Sequence, residues 1–429
     1  MTAALLLLAA FLILLGLGVP LAVALGLAGT WLIGREGLGL LAVPTNVYAS
    51  IAKYPLLAIP MFILAGLIFE RSGVALRLVR FIGALLGAWP GSLAVVAVLV
   101  CAVLGGISGS GPADAAAVAA VLIPTMTKRG YPKPFSAALI AAAGSMAIVI
   151  PPSVAFIVYS VLVPGASVPA LFAAGLIPGL LTSLALTVPA VWLSRRHGFD
   201  TDGEREARLP LWRSFREAIW GLLAPVVILG GMRTGLFTPS EAAVVAVVYG
   251  LIVGLVIYRT LRWPDVGHLL AEAGEISGVV LTIIGLASVF AWAGATLGAF
   301  DTLARGLAGL QTESWVVLLL VNALLLVAGM LLDAISIYLI LLPLLEPLAR
   351  QLGWDLVWFG VMMTLNLAIG QATPPMAINL MVTARIAGVS IESTIRWLWW
   401  PLAAMLVALL LVVAFPELAL WLPRRLGYG

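Results

Sequence analysis

GGISGSGPADAAA, from Gly105 to Ala117, interrupts a strongly apolar stretch, and IVIPPS follows it at Ile148 to Ser153. A second pair repeats the pattern: GMLLDAIS at Gly329 to Ser336, then GQATPPMAIN at Gly370 to Asn379. In each pair an Asp-bearing break precedes a Pro-Pro dipeptide, by 37 residues from Asp114 to Pro151 and by 41 from Asp333 to Pro374. Inside a bilayer, non-helical backbone is tolerated only where protein or a water-filled cavity receives the freed polar groups. Two interrupted segments in corresponding places of two halves are the sequence mark of a transporter's binding site.

The surrounding composition requires a membrane. Of 429 residues, 63% are hydrophobic and 10% charged, with a mean hydropathy of +1.16, whereas soluble domains carry about 25% charged residues. The net charge of +4 comes from Lys and Arg in short inter-helix loops; it sets orientation and is no sign of nucleic-acid binding. Cys101 is the single cysteine and sits in an apolar run, which excludes a disulfide framework and a cysteine metal cluster. His197 and His268 lie beside charged, loop-like segments without partners at metal-ligand spacing. No catalytic or metal-ligating role falls to either.

Apolar runs long enough to cross a bilayer fall at 3–34, 54–70, 134–163, 169–193, 218–232, 239–258, 278–299, 354–385 and 397–422. The first has no basic residue before Arg35 and so lacks the n-region of a cleaved signal. It reads as a retained helix which, at ~1.5 Å per residue, exceeds a ~30 Å core and must tilt or bend at Pro20. Regions 91–127 and 314–348 are apolar but broken near their middles, and they read as re-entrant hairpins with tips inside the membrane. Gly105, Gly106, Gly109, Gly111 and Pro112 are poor material for the interior of a helix. Segments 71–88 and 264–277 are amphipathic and read as interfacial connectors.

With the arginine-rich loop 194–217 in the cytoplasm, 16 basic residues fall inside and seven outside, in line with the positive-inside rule. Each half then crosses four times, and the lone helix 218–232 inverts the second half relative to the first. The expected fold is an all-α polytopic membrane protein with an inverted-topology repeat. It holds two hairpins entering from opposite faces and two helices broken at Pro-Pro pairs. The expected division is 1–90 (scaffold helices and an interfacial arm), 91–163 (first hairpin plus broken helix), 164–313 (scaffold and linker), 314–385 (second hairpin plus broken helix) and 386–429 (a C-terminal scaffold helix).

The first tip offers the Gly106 carbonyl and the Ser108 and Ser110 hydroxyls with little bulk, and the break at Pro151 frees carbonyls because proline has no N–H. Ser145 lies one to two turns earlier on the same helix. The second half supplies Gly329, Asp333 and Ser336 in the hairpin, and Asn366, Gly370, Gln371 and Thr373 in the broken helix. Carbonyl and hydroxyl oxygens of this kind suit a weakly held monovalent cation such as Na⁺. Ser110, Ser153, Thr373, Pro375 and Asn379 are candidate substrate contacts, because the half-helix N-termini after each Pro-Pro pair favour a carboxylate. Asp114 and Asp333 either ligate ions, as intramembrane acids often do, or brace the hairpins by accepting N–H bonds from the returning half-helix. Pro152 and Pro374 belong with Asp114 to the structure of the breaks.

At these motifs the chain resembles the DctM-like large membrane subunit of tripartite ATP-independent periplasmic (TRAP) transporters. The matching stretches are FERSGVALRLV (Phe69 to Val79), GGISGSGPADAAA, PTMTKRGYPKPFSAALIAAAGS (Pro124 to Ser145), IPPSVAFIVYS (Ile150 to Ser160), GLFTPSEAAVVAVVYG (Gly235 to Gly250) and NLAIGQATPPMAINLMV (Asn366 to Val382). The resemblance implies a bacterial inner-membrane subunit that pairs with a small four-helix membrane subunit and receives an organic anion from a soluble periplasmic binding protein. It also implies Na⁺ as coupling ion, no organic cofactor, and an elevator-like movement of the hairpin domain. Its ion sites carry over to Gly106, Ser108, Ser110, Ser145 and Pro151, and to Gly329, Asp333, Asn366, Gly370 and Thr373. Ala377 departs from the glycine expected after the second Pro-Pro pair.

Three other classes fit less well. A single-component Na⁺/dicarboxylate symporter shares the hairpin architecture but not GLFTPSEAA or the linker helix. An intramembrane aspartyl protease would use Asp114 and Asp333, yet the chain has no GxGD and no HExxH. A channel builds its filter by rotational symmetry about the membrane normal, which an inverted repeat within one chain does not provide.

Overall fold

The computed structural model describes residues 2–199, 210–300, 302, 305 and 313–428. These residues form helices joined by short turns, with no strand among them. The first half comprises α1 (Thr2–Gly16), α2 (Leu21–Arg35), α3 (Ala42–Ile51), α4 (Ala58–Arg71), α5 (Val74–Leu86), α6 (Ser92–Ser108), α7 (Gly111–Lys128), α8 (Lys133–Ser145), α9 (Val154–Leu162) and α10 (Val168–Arg196). Helix α11 (Leu211–Arg233) links it to α12 (Pro239–Leu251), α13 (Trp263–Thr296), α14 (Ser314–Gly329), α15 (Ala334–Gln351), α16 (Leu356–Ala372), α17 (Ile378–Ala387), α18 (Ile391–Ala414) and α19 (Glu417–Arg425).

Seven helices among the described residues are long and apolar enough to cross a membrane: Tyr54–Arg71, Val168–Arg196, Leu211–Arg233, Pro239–Ile257, Trp263–Thr296, Ala334–Gln351 and Ile391–Ala414. The chain is therefore a multi-pass membrane protein. Both polar breaks fall where the sequence places them. Helices α6 and α7 are separated only by Gly109 and Ser110, and α14 and α15 by Met330 to Asp333. Each of the two following helices is interrupted at its Pro-Pro pair, between α8 and α9 and between α16 and α17.

Three expectations are corrected. The stretch 3–34 is not one bent helix: α1 ends at Gly16, Gly18 takes a left-handed φ of 80°, and α2 turns back to pack on α1. Pro20 thus precedes a new helix rather than kinking an old one, as expected of a residue pre-set for a helix start. Segment 264–277 is not a separate surface helix but the first turns of α13, which runs 34 residues without a break. At ~1.5 Å per residue that is about 50 Å, longer than the bilayer core, so its polar start extends beyond the apolar layer. The C-terminal run also divides, because α18 stops at Ala414 before Pro416 and α19 folds against α10. Segment 71–88, by contrast, contains the separate amphipathic helix α5, packed on α6, α7 and α11.

Packing follows a two-fold pattern. Helix α8 lies against α17 while α9 lies against α16, so the halves of the two broken helices exchange partners. Swapping first-half for second-half elements maps α7–α8 onto α15–α16, α6–α8 onto α14–α16, and α7–α17 onto α15–α9. The outer helices obey the same rule, since α2 packs on α13 and α4 on α12. Helices α10 and α18 contact each other and also the broken helices α8 and α16. Side-chain hydrogen bonds lock the exchange: the Thr383 hydroxyl donates to the Ala137 carbonyl at 3.0 Å, and the Tyr159 hydroxyl donates to the Leu356 carbonyl at 2.8 Å.

Candidate functional site

In the first half, the chain turns at the hairpin tip because Gly109 adopts a left-handed φ of 63°. Close approach also demands glycine there: a Cβ on Gly109 would lie 2.6 Å from the Pro152 carbonyl oxygen, and one on Gly105 would lie 2.8 Å from the Ala147 Cα. The tip therefore rests directly on the broken helix. Ser108 ends α6; its hydroxyl donates to Asp114 Oδ1 at 2.6 Å and accepts the Ser110 amide at 3.1 Å. Asp114 is buried, and its Oδ2 has no hydrogen-bond partner.

The facing break runs from Val149 to Ser153 and contains a cis Pro151–Pro152 bond. Two prolines remove the amides that would bond the carbonyls of Ala147 and Ile148 in a continuous helix. Ser153 restores one of these, donating to the Ile148 carbonyl at 2.6 Å. The Ser145 hydroxyl donates to the Ala142 carbonyl at 2.8 Å, which leaves its lone pairs available.

The second half follows the same plan with different chemistry at its acid. Asp333 accepts the amides of Ile335 at 3.0 Å and Ser336 at 3.2 Å, and also the Ser336 hydroxyl. It is a helix N-cap for α15. Gly329 and Gly370 bring the tip and the broken helix into backbone contact, and the Met376 amide donates to the Met330 carbonyl at 3.1 Å. Thr373 donates its hydroxyl to the Ile369 carbonyl at 2.7 Å. Asn366 donates to both the backbone and side-chain oxygens of Asn322 on α14, at 3.0 and 2.9 Å, and its own Oδ1 is left without a partner. A cis Pro374–Pro375 bond follows, then Ala377 in a left-handed conformation with φ 40°.

The two halves meet where α7 starts. A Cβ on Gly111 would lie 2.9 Å from both Gln371 Oε1 and Asn379 Nδ2. Gln371 Oε1 and both polar atoms of the fully buried Asn379 side chain lack hydrogen-bond partners. Unpaired amides in a protein interior cost roughly 1–3 kcal/mol each, and their concentration here singles out this junction as the candidate binding place.

The family model for the DctM component of the tripartite ATP-independent periplasmic transporters matches residues 8–418. The chain belongs to this family. It is 38% identical to the isethionate TRAP transporter permease DctMQ of Oleidesulfovibrio alaskensis over 94% of its length, spanning 64% of that longer protein. Identity to the C4-dicarboxylate TRAP transporter large permease DctM of Rhodobacter capsulatus is 35%, covering 96% of each chain. The 2,3-diketo-L-gulonate TRAP transporter large permease YiaN of Escherichia coli is 35% identical over 94% of this chain. The crystal structure of the Alcanivorax borkumensis YdaH transporter shares the fold, with a TM-score of 0.65 over 90% of both chains at 16% identity. This DctM-type chain is thus a large permease component of the inner membrane, a transporter part and not an enzyme.

Within this permease the sequence-derived candidates separate into three groups. Gly106, Ser108, Ser110, Pro151 and Ser153 sit at the first tip and its break; Gly329, Asn366, Gly370 and Thr373 sit at the second. Asn379 joins the two halves, while Pro375 is exposed beside the half-exposed Met376. Asp114 departs from the expected capping role: it accepts the Ser108 side chain, not the amides of the returning helix. Asn322 was not singled out from the sequence. It sits in an unbroken apolar helix, and only the fold reveals Asn366 beside it. The approach of Gln371 to Gly111 was equally invisible, because those residues lie in different halves.

Proposed function

We propose that this permease carries out secondary active, Na⁺-coupled uptake of a small organic anion, handed over by a soluble periplasmic binding protein and assisted by a small four-helix membrane subunit. The observation that carries the reading is the junction of unpaired polar atoms at Gln371 and Asn379 beside Gly111, with a further orphaned oxygen at each tip region, Asp114 Oδ2 in the first half and Asn366 Oδ1 in the second. In lipid such groups must find partners. Amide N–H groups and the N-termini of α9 and α17 suit a carboxylate, and the surrounding oxygens suit Na⁺. Relatives named for C4-dicarboxylate, isethionate and diketogulonate transport support an acid substrate.

The cation ligands in this reading are Gly106, Ser108, Ser110, Ser145 and Pro151 on one side, and Gly329, Asn366, Gly370 and Thr373 on the other. Asp333 acts as a brace, because three donors already occupy its carboxylate. Asp114 keeps a free oxygen and is the acid with capacity left for a cation. The hairpins are re-entrant, the repeat is inverted, and α6–α10 with α14–α18 form the body that moves in elevator fashion against α2, α4, α12 and α13. That grouping follows packing and transfers α10 and α18 from the scaffold to the moving body.

The test is uptake of a labelled acid into proteoliposomes holding this chain, the small subunit and the binding protein under an imposed Na⁺ gradient. Ser108→Ala and Thr373→Ala should each weaken Na⁺ dependence. Unchanged Na⁺ dependence in both would refute the ligand assignment. Na⁺-driven uptake by this chain alone, with no binding protein, would favour the single-component symporter instead.

A further inference from the structure

Away from the central junction, the arginine-rich end of α10, which the loop-charge count assigns to the cytoplasm, and the start of α18 border an open cavity of about 400 Å³ lined by Trp192, Leu193, Arg196, His197, Arg396, Trp397 and Trp400. Arg196 lies over the Trp192 ring at 5.0 Å and Arg396 over the Trp397 ring at 4.8 Å. Among the described residues neither guanidinium is ion-paired with a carboxylate. Trp397 lines the same cavity, and its buried indole N–H has no hydrogen-bond partner among the described residues. His197 directs Nδ1 at the Leu193 carbonyl, 3.0 Å away, which holds its ring at the edge of the cavity. Two cations and an orphaned N–H donor around one cavity describe a receptor for a multi-oxygen anion.

A second, apolar pocket adjoins the cavity across Trp192 and Trp400. Trp192 and Trp400, with ring centroids 4.7 Å apart, also border an apolar groove of about 370 Å³ lined by Ala185, Val188, Pro189, Ala404 and Val407. From Arg196 back to Ala185, and from Arg396 on to Val407, is 11 residues, or about 16 Å of helix. That matches one leaflet of a ~30 Å hydrocarbon core. Tryptophans at the level where charge gives way to apolar lining are placed as interfacial anchors, and the cytoplasmic leaflet is the one rich in anionic lipid.

We propose that this paired cavity and groove bind one anionic phospholipid of the cytoplasmic leaflet, its phosphate between Arg196 and Arg396 and an acyl chain along 185–192 and 400–407. Charge complementarity selects the occupant: a zwitterionic lipid would bring its own cation to a site that already holds two. A free phosphate would leave the apolar groove empty.

The full chain in detergent, titrated with dioleoyl phosphatidylglycerol and followed by native mass spectrometry, should bind it more tightly than dioleoyl phosphatidylcholine. The pair Arg196→Gln and Arg396→Gln should weaken that binding about 25-fold, roughly fivefold for each basic residue. Val407→Trp, which fills the groove and spares the guanidinia, should also weaken it. In unmodified protein, a photoactivatable phosphatidylglycerol should label peptides containing 185–192 or 400–407. Equal affinity for the two lipids, or labelling only elsewhere, would overturn the proposal. So would displacement of the lipid by millimolar inorganic phosphate, which would make this a site for a soluble anion.

Discussion

Gly370→Ala adds a single methyl group at the tightest contact between the second hairpin and its broken helix. The new Cβ would lie 2.5 Å from both the carbonyl carbon and the Cα of Gly329, about 0.9 Å inside the 3.4 Å at which ordinary contact begins. Both partners are backbone, so no rotamer change relieves the clash; α14 and α16 must separate. Overpacking of this kind costs about 1–3 kcal/mol, and two rigid backbones place it toward the upper end. Gly274→Ala is the matched control, since it makes the same chemical change within α13 with nothing within 4 Å of the added carbon. In a helix that change stabilises by up to about 1 kcal/mol. That gain is common to both variants, so they should differ by the overpacking cost, about 2–3 kcal/mol in unfolding free energy, read as an SDS-titration midpoint with helicity followed by circular dichroism. Equal stability of the two variants would refute the claim that the tip and the break are in rigid contact.

Other changes test neighbouring links. Asp333→Ala should lose about 1–2 kcal/mol of α15 capping while Asp333→Asn retains most of it, and neither should alter Na⁺ dependence of uptake; a lost Na⁺ response in the Asn variant would make Asp333 an ion ligand. Asn366→Ala should cost about 1–3 kcal/mol by leaving the buried Asn322 Oδ1 without its donor, and Asn322→Ala should cost less when added to it than when made alone. Gly111→Ala should leave stability within about 1 kcal/mol, because flexible side-chain ends can move aside. It should nevertheless raise the half-saturating acid concentration about tenfold or more by pushing Gln371 and Asn379 apart; unchanged saturation would remove those amides from the substrate site.

Local chemistry made the breaks legible. Pro151, Pro152, Pro374 and Pro375 cannot complete helical hydrogen bonds, and Gly109 is the residue that tolerates the left-handed turn, so composition alone located these interruptions. Ala377 adds a further detail: the family resemblance leads one to expect glycine there, and the left-handed backbone, costly to any residue with a Cβ, supplies the physical reason. Hydropathy misjudged elements that differ only in where an apolar run turns or continues. Residues 17–20 carry no charge to advertise the turn between α1 and α2, and the charged start of α13 looks like an interfacial helix ended at Gly278, although the helix runs on through that glycine. Pairings such as Gln371 with Gly111 depend on the tertiary exchange of half-helices, about which neither segment carries local information.

The two intramembrane acids show why repeat symmetry and functional symmetry must be separated. Both follow a hairpin tip, and both lie ahead of a Pro-Pro break by a similar interval, so the sequence treats them as equivalents. Asp333 stands at the N-cap, where a carboxylate reaches the amides two and three residues ahead, and three donors fill most of its acceptor positions: those two amides on Oδ2 and the Ser336 hydroxyl on Oδ1. Asp114 stands four residues after the N-cap Ser110, inside the first turn of α7, where those amides point away from it. It reaches back to Ser108 instead and retains one oxygen with no partner. A displacement of a few residues along the helix start thus converts a cap into a carboxylate with capacity to spare. Ser108→Ala follows from the same geometry: with the hydroxyl gone, Asp114 Oδ1 loses its donor and joins Oδ2 in having none, at a cost of about 1–3 kcal/mol. Saturating Na⁺ should restore that loss if the cation binds at this tip, so thermal stability measured with Na⁺ and with choline decides the matter, and an identical deficit in both salts would leave Asp114 a brace like its counterpart.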